Sequence, residues 1–239
     1  HQFDTGAGTS ATPSGLAHIA AYVENSSVDN TVEYVYGGDL LGNVWRFDLN
    51  DASTANWRVQ LLATLVDASS VAQAVTTEPE LASILINGAY KRFVYVGTGK
   101  YLGDTDVATT QVQSMYGLMD DLSNPGAGIP VISGPRANLQ QQTFTVNAST
   151  PPTRTASGNV VDFNVKKGWY IDFPAPTGGA SSERVTTNPA IAAGVLVFTS
   201  NIPSNDPCQP GGSSWINFLD YKTGGIVNAT NVTYSSKYL

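Results

Sequence analysis

Cysteine occurs once in the 239 residues, at Cys208, and histidine twice, at His1 and His18. A single thiol closes no internal disulfide, and two isolated imidazoles beside it exclude a Cys/His zinc pattern. Charge is scarce as well: Asp, Glu, Lys and Arg make up 13% of the chain, with 12 basic against 19 acidic residues and a formal net charge of -7. No cluster of Lys and Arg exists to release counterions from phosphates, which argues against a nucleic-acid partner. No apolar run approaches the roughly 20 residues of a membrane-spanning helix, so no membrane insertion is expected. No basic start followed by an apolar stretch marks a signal peptide. Gly-x-Ser-x-Gly, a phosphate loop and a Ser/His/Asp arrangement are all missing, leaving no signature of common hydrolytic or nucleotide chemistry.

What is present is turn chemistry between short apolar strands. Glycine occurs 23 times and proline 13 times, and 41% of residues are hydrophobic. That balance predicts an all-β chain with very little helix. The stretch Glu33 to Asn50 shows the unit: Tyr34-Val35-Tyr36 is β-branched and aromatic, Gly37-Gly38-Asp39 through Gly42-Asn43 is a turn, and Val44-Trp45-Arg46-Phe47 alternates. An antiparallel hairpin follows from this pattern.

The grammar recurs. Phe93 to Lys100 with Met115 to Asp120 repeats it, as do Val195 to Phe198 with Trp215 to Asp220. Thr76-Thr77-Glu78-Pro79 precedes the second copy and Thr186-Thr187-Asn188-Pro189 the third, while Pro13 to Ala17 is a looser version before the first. Trp57 to Leu62 and Trp169 to Phe173 are strands upstream of each proline. Aligning Asp4, Asp48, Asp120 and Asp220 gives units of roughly 44, 72 and 100 residues, near or above the roughly 40 to 50 of a four-stranded propeller blade with insertions. The expected fold is a partial β-propeller of about three to four antiparallel four-stranded blades with long loop insertions. Because the chain starts inside a repeat, residues 1–239 are expected to be a single propeller domain cut from a longer protein.

Between the repeats lie connections. Leu16 to Val23 is expected as a strand, Leu102 to Thr110 as a loop insertion, and Ser123 to Thr155 as a long connection, functional or mobile, broken by one edge strand over Gln140 to Val146. Asn201 to Gly212 is expected as an ordered loop, and Ile226 to Leu239 as the start of another unit. Asn-x-Ser/Thr patterns at Asn25, Asn147, Asn228 and Asn231 carry no weight in so Thr- and Asn-rich a chain.

Tyr36-Gly37-Gly38-Asp39 through Asp48, Gly97-Thr98-Gly99-Lys100-Tyr101-Leu102-Gly103, Gln113 to Gly117, Gly168 to Asp172, Glu183-Arg184-Val185 and Asp206 to Trp215 occur in that order. Together they closely resemble the C-terminal β-propeller of PilY-type type IV pilus biogenesis proteins and tip adhesins, over nearly the whole chain. The resemblance implies a non-catalytic module at the pilus tip, exported through the periplasm to the cell surface and acting in pilus biogenesis and adhesion. Minor pilins and host-cell or surface receptors are the partners it implies. It also implies a calcium site before the Tyr-x-Gly-Asp strand, which by register falls on Asn25, Ser27, Asp29, Thr31 (through its carbonyl) and Glu33.

Read from the residues, that stretch is a polar turn. Only Asp29 and Glu33 are anionic, and calcium affinity rises with carboxylate count. Gly103-Asp104-Thr105-Asp106 is a second place where carboxylates alternate, read as an exposed loop. Gly37-Gly38-Asp39 and Gly97-Thr98-Gly99 follow strands with no helix after them, so they read as hairpin geometry, and the strand-ending aspartates as turn caps. Tyr36, Trp45, Phe47, Tyr95, Tyr116, Trp215 and Phe218 are expected between blades as core. The competing reading is a quinoprotein-type propeller dehydrogenase, which would need a central quinone pocket, a metal and a catalytic carboxylate.

Overall fold

One carboxylate shapes the first hairpin. The buried Asp39 accepts the backbone N–H groups of Leu41 and Asn43, each at 2.9 Å, the Asn43 amide at 3.0 Å and the Trp45 indole N–H at 2.9 Å. Gly42 follows at φ +78, a left-handed turn that favours glycine. These bonds turn β2 (Tyr34–Gly38) back into β3 (Asn43–Asp48), and β1 (Ile19–Tyr22) and β4 (Arg58–Thr64) complete a four-stranded antiparallel sheet in chain order. The computed structural model describes residues 2–204, 211–228 and 234–239. His1, Cys208, Asn231 and most of the proline-rich loop lie outside the described residues.

The second sheet is β5 (Glu80–Ile86), β6 (Ala89–Gly97) and β7 (Ser114–Asp120), with a one-turn helix, α1 (Asp104–Val107), in the β6–β7 connection. Beyond β7, a second one-turn helix, α2 (Pro135–Asn138), leads into β8 (Gln140–Gln142), and β9 (Phe144–Asn147) and β10 (Thr153–Ala156) form a hairpin. Then β11 (Gly168–Asp172) returns to pair with β7, and β8 runs parallel beside it as a fifth strand. The third sheet is β12 (Ala190–Ala192), β13 (Val195–Pro203), β14 (Gly212–Asp220) and β15 (Ser236–Tyr238), extended outward by β10 and β9 to six strands.

Three expectations are corrected. The stretch 140–146 is two strands in two different sheets, because the buried Gln142 anchors β8 while Thr143 begins the crossing to β9. The C-terminal residues supply the strand beside β14, with Trp215 opposite Tyr238, instead of opening a new unit. The 123–155 connection packs as structure: Ile132 and Leu139 are in the core, and the amides of Val131 and Ile132 donate to the carbonyls of Leu61 and Leu62 at 3.0 and 2.8 Å. Its strands extend the second and third sheets past four and cover edges that would otherwise present unpaired backbone.

Alternation within the second sheet explains how three sheets share one interior. Val94, Val96, Tyr116 and Leu118 face the first sheet and join Tyr34, Tyr36 and Val44. Phe93, Tyr95, Met115 and Met119 face the third and join Leu196, Phe198 and Leu219. Every residue of β7 is buried, as a strand sandwiched on both faces requires. Trp45, Tyr116 and Trp215 fall on the corresponding strands β3, β7 and β14, as the repeat predicts.

Candidate functional site

The repeated sequence elements meet where sheets join. A Cβ on Gly38 would overlap the Val75 side chain, and one on Gly97 would overlap Val185. Val75 and Val185 are the residues that precede the two Thr-Thr-x-Pro elements, and their amides donate to the carbonyls of Asp39 and Thr98 at 2.9 and 3.0 Å. Each glycine therefore opens a slot for the segment entering the next sheet. Tyrosines close the same joints. The Tyr36 hydroxyl donates to Asp120 at 2.7 Å and the Tyr95 hydroxyl to the Tyr221 carbonyl at 2.8 Å, each reaching the end of the third strand of the following sheet. The glycine-rich stretches thus serve hairpin geometry and close packing.

The strand-ending aspartates do cap turns. Asp4, Asp48, Asp120 and Asp220 accept the amides of Gly6, Asn50, Leu122 and Thr223 respectively. Asp120 carries a second load, a fully buried ion pair with Arg46 at 2.6 Å. Burial, reinforced by the Asp120 charge, pushes the Tyr36 phenol well above its ordinary pKa and keeps it a donor.

Sequence reading missed the buried arginines. Arg92 lies between the rings of Tyr22 and Tyr34, 4.0 and 4.1 Å from their centroids, and reaches Glu24 at 3.3 Å. Burial alone would lower its pKa, yet the Tyr36 and Tyr22 hydroxyls hold it above the ordinary arginine value. Arg154 stacks 3.6 Å from Trp215 and pairs with the buried Glu183 at 2.7 Å. Arg136 forks onto Asp172 at 2.8 and 2.9 Å. The available signal was a guanidinium within or at the start of an apolar strand run, as in Trp45-Arg46-Phe47 and Arg92-Phe93-Val94, where a charge needs an internal partner.

Asn25, Ser27, Asp29, Thr31 and Glu33 lie together in the exposed β1–β2 connection. Ser27 donates its hydroxyl to Asn25 Oδ1 at 2.5 Å, Asp29 Oδ1 accepts the Thr31 amide at 2.9 Å, and Glu33 Oε2 accepts the Glu24 amide at 2.8 Å. One oxygen each of Asn25, Asp29 and Glu33 is thus turned onto a neighbouring donor, and with two carboxylates the set does not fit a high-affinity calcium cage. Among the described residues no group of three or more His, Cys, Asp or Glu is placed to hold a metal. The alternating carboxylates downstream separate: Asp104 is exposed at the start of α1, while the buried Asp106 pairs with Lys100 at 3.0 Å and accepts the Leu102 and Gly103 amides. His18 is exposed just before β1.

Three successive sheets joined by a repeated glycine, valine and tyrosine contact define a β-propeller protein, built around packed interfaces. Similarity to known proteins narrows this class. The model of the PilY1 beta-propeller domain matches residues 5–157, and the chain belongs to that family. It is 34% identical to type IV pilus biogenesis factor PilY1 of Pseudomonas aeruginosa PAO1 over 93% of its length, and spans 22% of that relative. A PilY1 homolog of Xylella fastidiosa is 28% identical over 88% of the chain, which spans 14% of the homolog. The crystal structure of the P. aeruginosa PilY1 C-terminal domain superposes with a TM-score of 0.75 at 28% identity, covering 97% of this chain and 56% of that one.

Proposed function

We propose that this chain is a non-catalytic propeller segment of a type IV pilus tip protein, serving pilus biogenesis and adhesion to host cells or surfaces. The observation that carries the reading is the alignment to pilus biogenesis factors over 93% of the chain. Packing agrees with it. The glycine-rich turns that could suggest a cofactor cradle are occupied by Val75 and Val185, and the faces between sheets are filled with side chains. The segment acts outside the cytoplasm after export through the periplasm, with minor pilins and surface receptors as its partners. No described helix is long and apolar enough to cross a membrane.

In-frame removal of this segment from the chromosomal gene tests the proposal. Surface pili counted by electron microscopy and adherence to cell monolayers should both fall sharply. Normal piliation with unchanged adherence would refute the role. Visible absorbance and dye-linked alcohol oxidation by the purified protein test the dehydrogenase alternative, and both are expected to be blank.

A further inference from the structure

A groove of about 820 Å³ opens between the second and third sheets. Three segments line it: the β5–β6 turn at Asn87, residues 158–164 of the long connection, and residues 220–228 from the end of β14 onward. Its volume lies within the roughly 300 to 1,000 Å³ typical of small-ligand sites. The walls are tied together from behind by Gln142, which is fully buried. Its amide donates to the carbonyls of Asn159 at 2.8 Å and Thr223 at 2.9 Å, one on each wall, while its oxygen accepts Ser157 Oγ at 2.6 Å and the Asn159 amide at 3.0 Å.

The lining is amphipathic. Phe163, Val161 and Ile226 are apolar, and the Phe163 ring is set edge-on against Phe93 at 5.9 Å with Lys222 Nζ 6.0 Å from its centroid. Around them stand Asn87, Asn164, Asp162, Asp220 and Lys222. The polar groups are pre-positioned: Asp162 Oδ1 takes the Asn164 amides, Asn87 donates to Asn164 Oδ1, and Asp220 Oδ1 takes the Thr223 amide and hydroxyl. Among the described residues the second oxygen of each carboxylate accepts no protein hydrogen bond, leaving two anionic acceptors at the groove.

The geometry points to a binding site for neutral oligosaccharide. A pyranose ring has a C–H face that stacks on an aromatic side chain, and hydroxyls that both donate and accept. Carboxylate acceptors beside Asn amides and one ammonium match such hydroxyls. Two carboxylates against one lysine disfavour an acidic ligand, and the polar rim disfavours a purely apolar one. Walls fixed before binding reduce the ordering cost of a weak sugar contact. The inference gives the adhesive part of the proposed role a ligand class and rests on that reading for its purpose alone; binding itself is measured without pili.

Saturation-transfer NMR on the purified chain with lactose and with N,N′-diacetylchitobiose tests it. Transfer from protein to ring protons of at least one sugar is expected, at the millimolar dissociation constants of about −4 kcal/mol binding. The Asp162→Asn/Asp220→Asn pair keeps each Oδ1 and removes each free acceptor, and should weaken that sugar about tenfold or more, the loss of roughly 1.4 kcal/mol. Asp51→Asn, in an exposed turn of the first sheet, should change nothing. If the pair fails to fold, Lys222→Met, which removes the ammonium at the groove, is expected to weaken binding in its place. No transfer with either sugar, or equal transfer in the groove variant, overturns the site while leaving the piliation result untouched.

Discussion

The Arg46–Asp120 pair places two opposite charges, both fully buried, between the first and second sheets. Removing one partner of such a pair strands the other, so Arg46→Met should cost about 3 to 5 kcal/mol of unfolding free energy by urea denaturation. A change below about 0.5 kcal/mol, the scale of an ordinary surface substitution, would contradict the burial. Asp121 beside Lys167 behaves differently. Partial burial acts to raise its pKa, but the bonds from Lys167 and Ser123 outweigh it and bring the carboxyl down from 3.8 to about 2. A depressed carboxylate stabilises the fold above its unfolded pKa and loses that contribution as pH falls through the folded one. Melting temperature should therefore drop between about pH 4 and pH 2, less steeply in Lys167→Met; equal slopes would contradict the assignment. At the β1–β2 loop, two carboxylates bonded to their own loop predict little or no heat on titration with calcium at about millimolar concentration. A micromolar dissociation constant lost in Asp29→Ala would establish a calcium site there.

At the scale of elements, the glycine–valine slot is the device that recurs. Gly97→Ala should push its new methyl into Val185 and destabilise the chain by about 1 to 3 kcal/mol, and Val185→Gly in the same chain, which removes the overlapping Cβ and both methyls, should recover part of the loss. Additive losses in the double variant, measured by denaturant midpoint, would mean that the two side chains do not compete for one space. Hairpins, turn caps and the repeated Thr-Thr-x-Pro entry were legible in the sequence because each is local: a strand, its connection and the returning strand are consecutive in the chain. The pairing partners of the 123–155 connection were not. Its apolar positions, Val131-Ile132 and Leu139, lie among turn residues and show no sustained period, and their burial is decided by the first and second sheets. The C-terminal strand of the third sheet was hidden for the same reason, since Ser236-Lys237-Tyr238 gains strand character from pairing with Trp215 to Asn217 on one side and Thr153-Arg154 on the other. Of the candidate site, the 25–33 loop was visible through spacing. The groove between the second and third sheets was not, because its walls come from distant segments, two of which are tied together by Gln142.

For the whole molecule, the second sheet is the hub: its alternating side chains fill one core with the first sheet and another with the third. Three sheets joined in this way should unfold as one body, because exposing either shared face strips apolar surface from the middle sheet as well. That claim is tested most directly by urea unfolding of single-tryptophan variants, one retaining Trp45 in the first sheet and one retaining Trp215 in the third, with fluorescence followed at each probe. Coincident midpoints and equal slopes are expected at the two ends of the array. Two separated transitions, with one end melting while the other keeps its native signal, would contradict it.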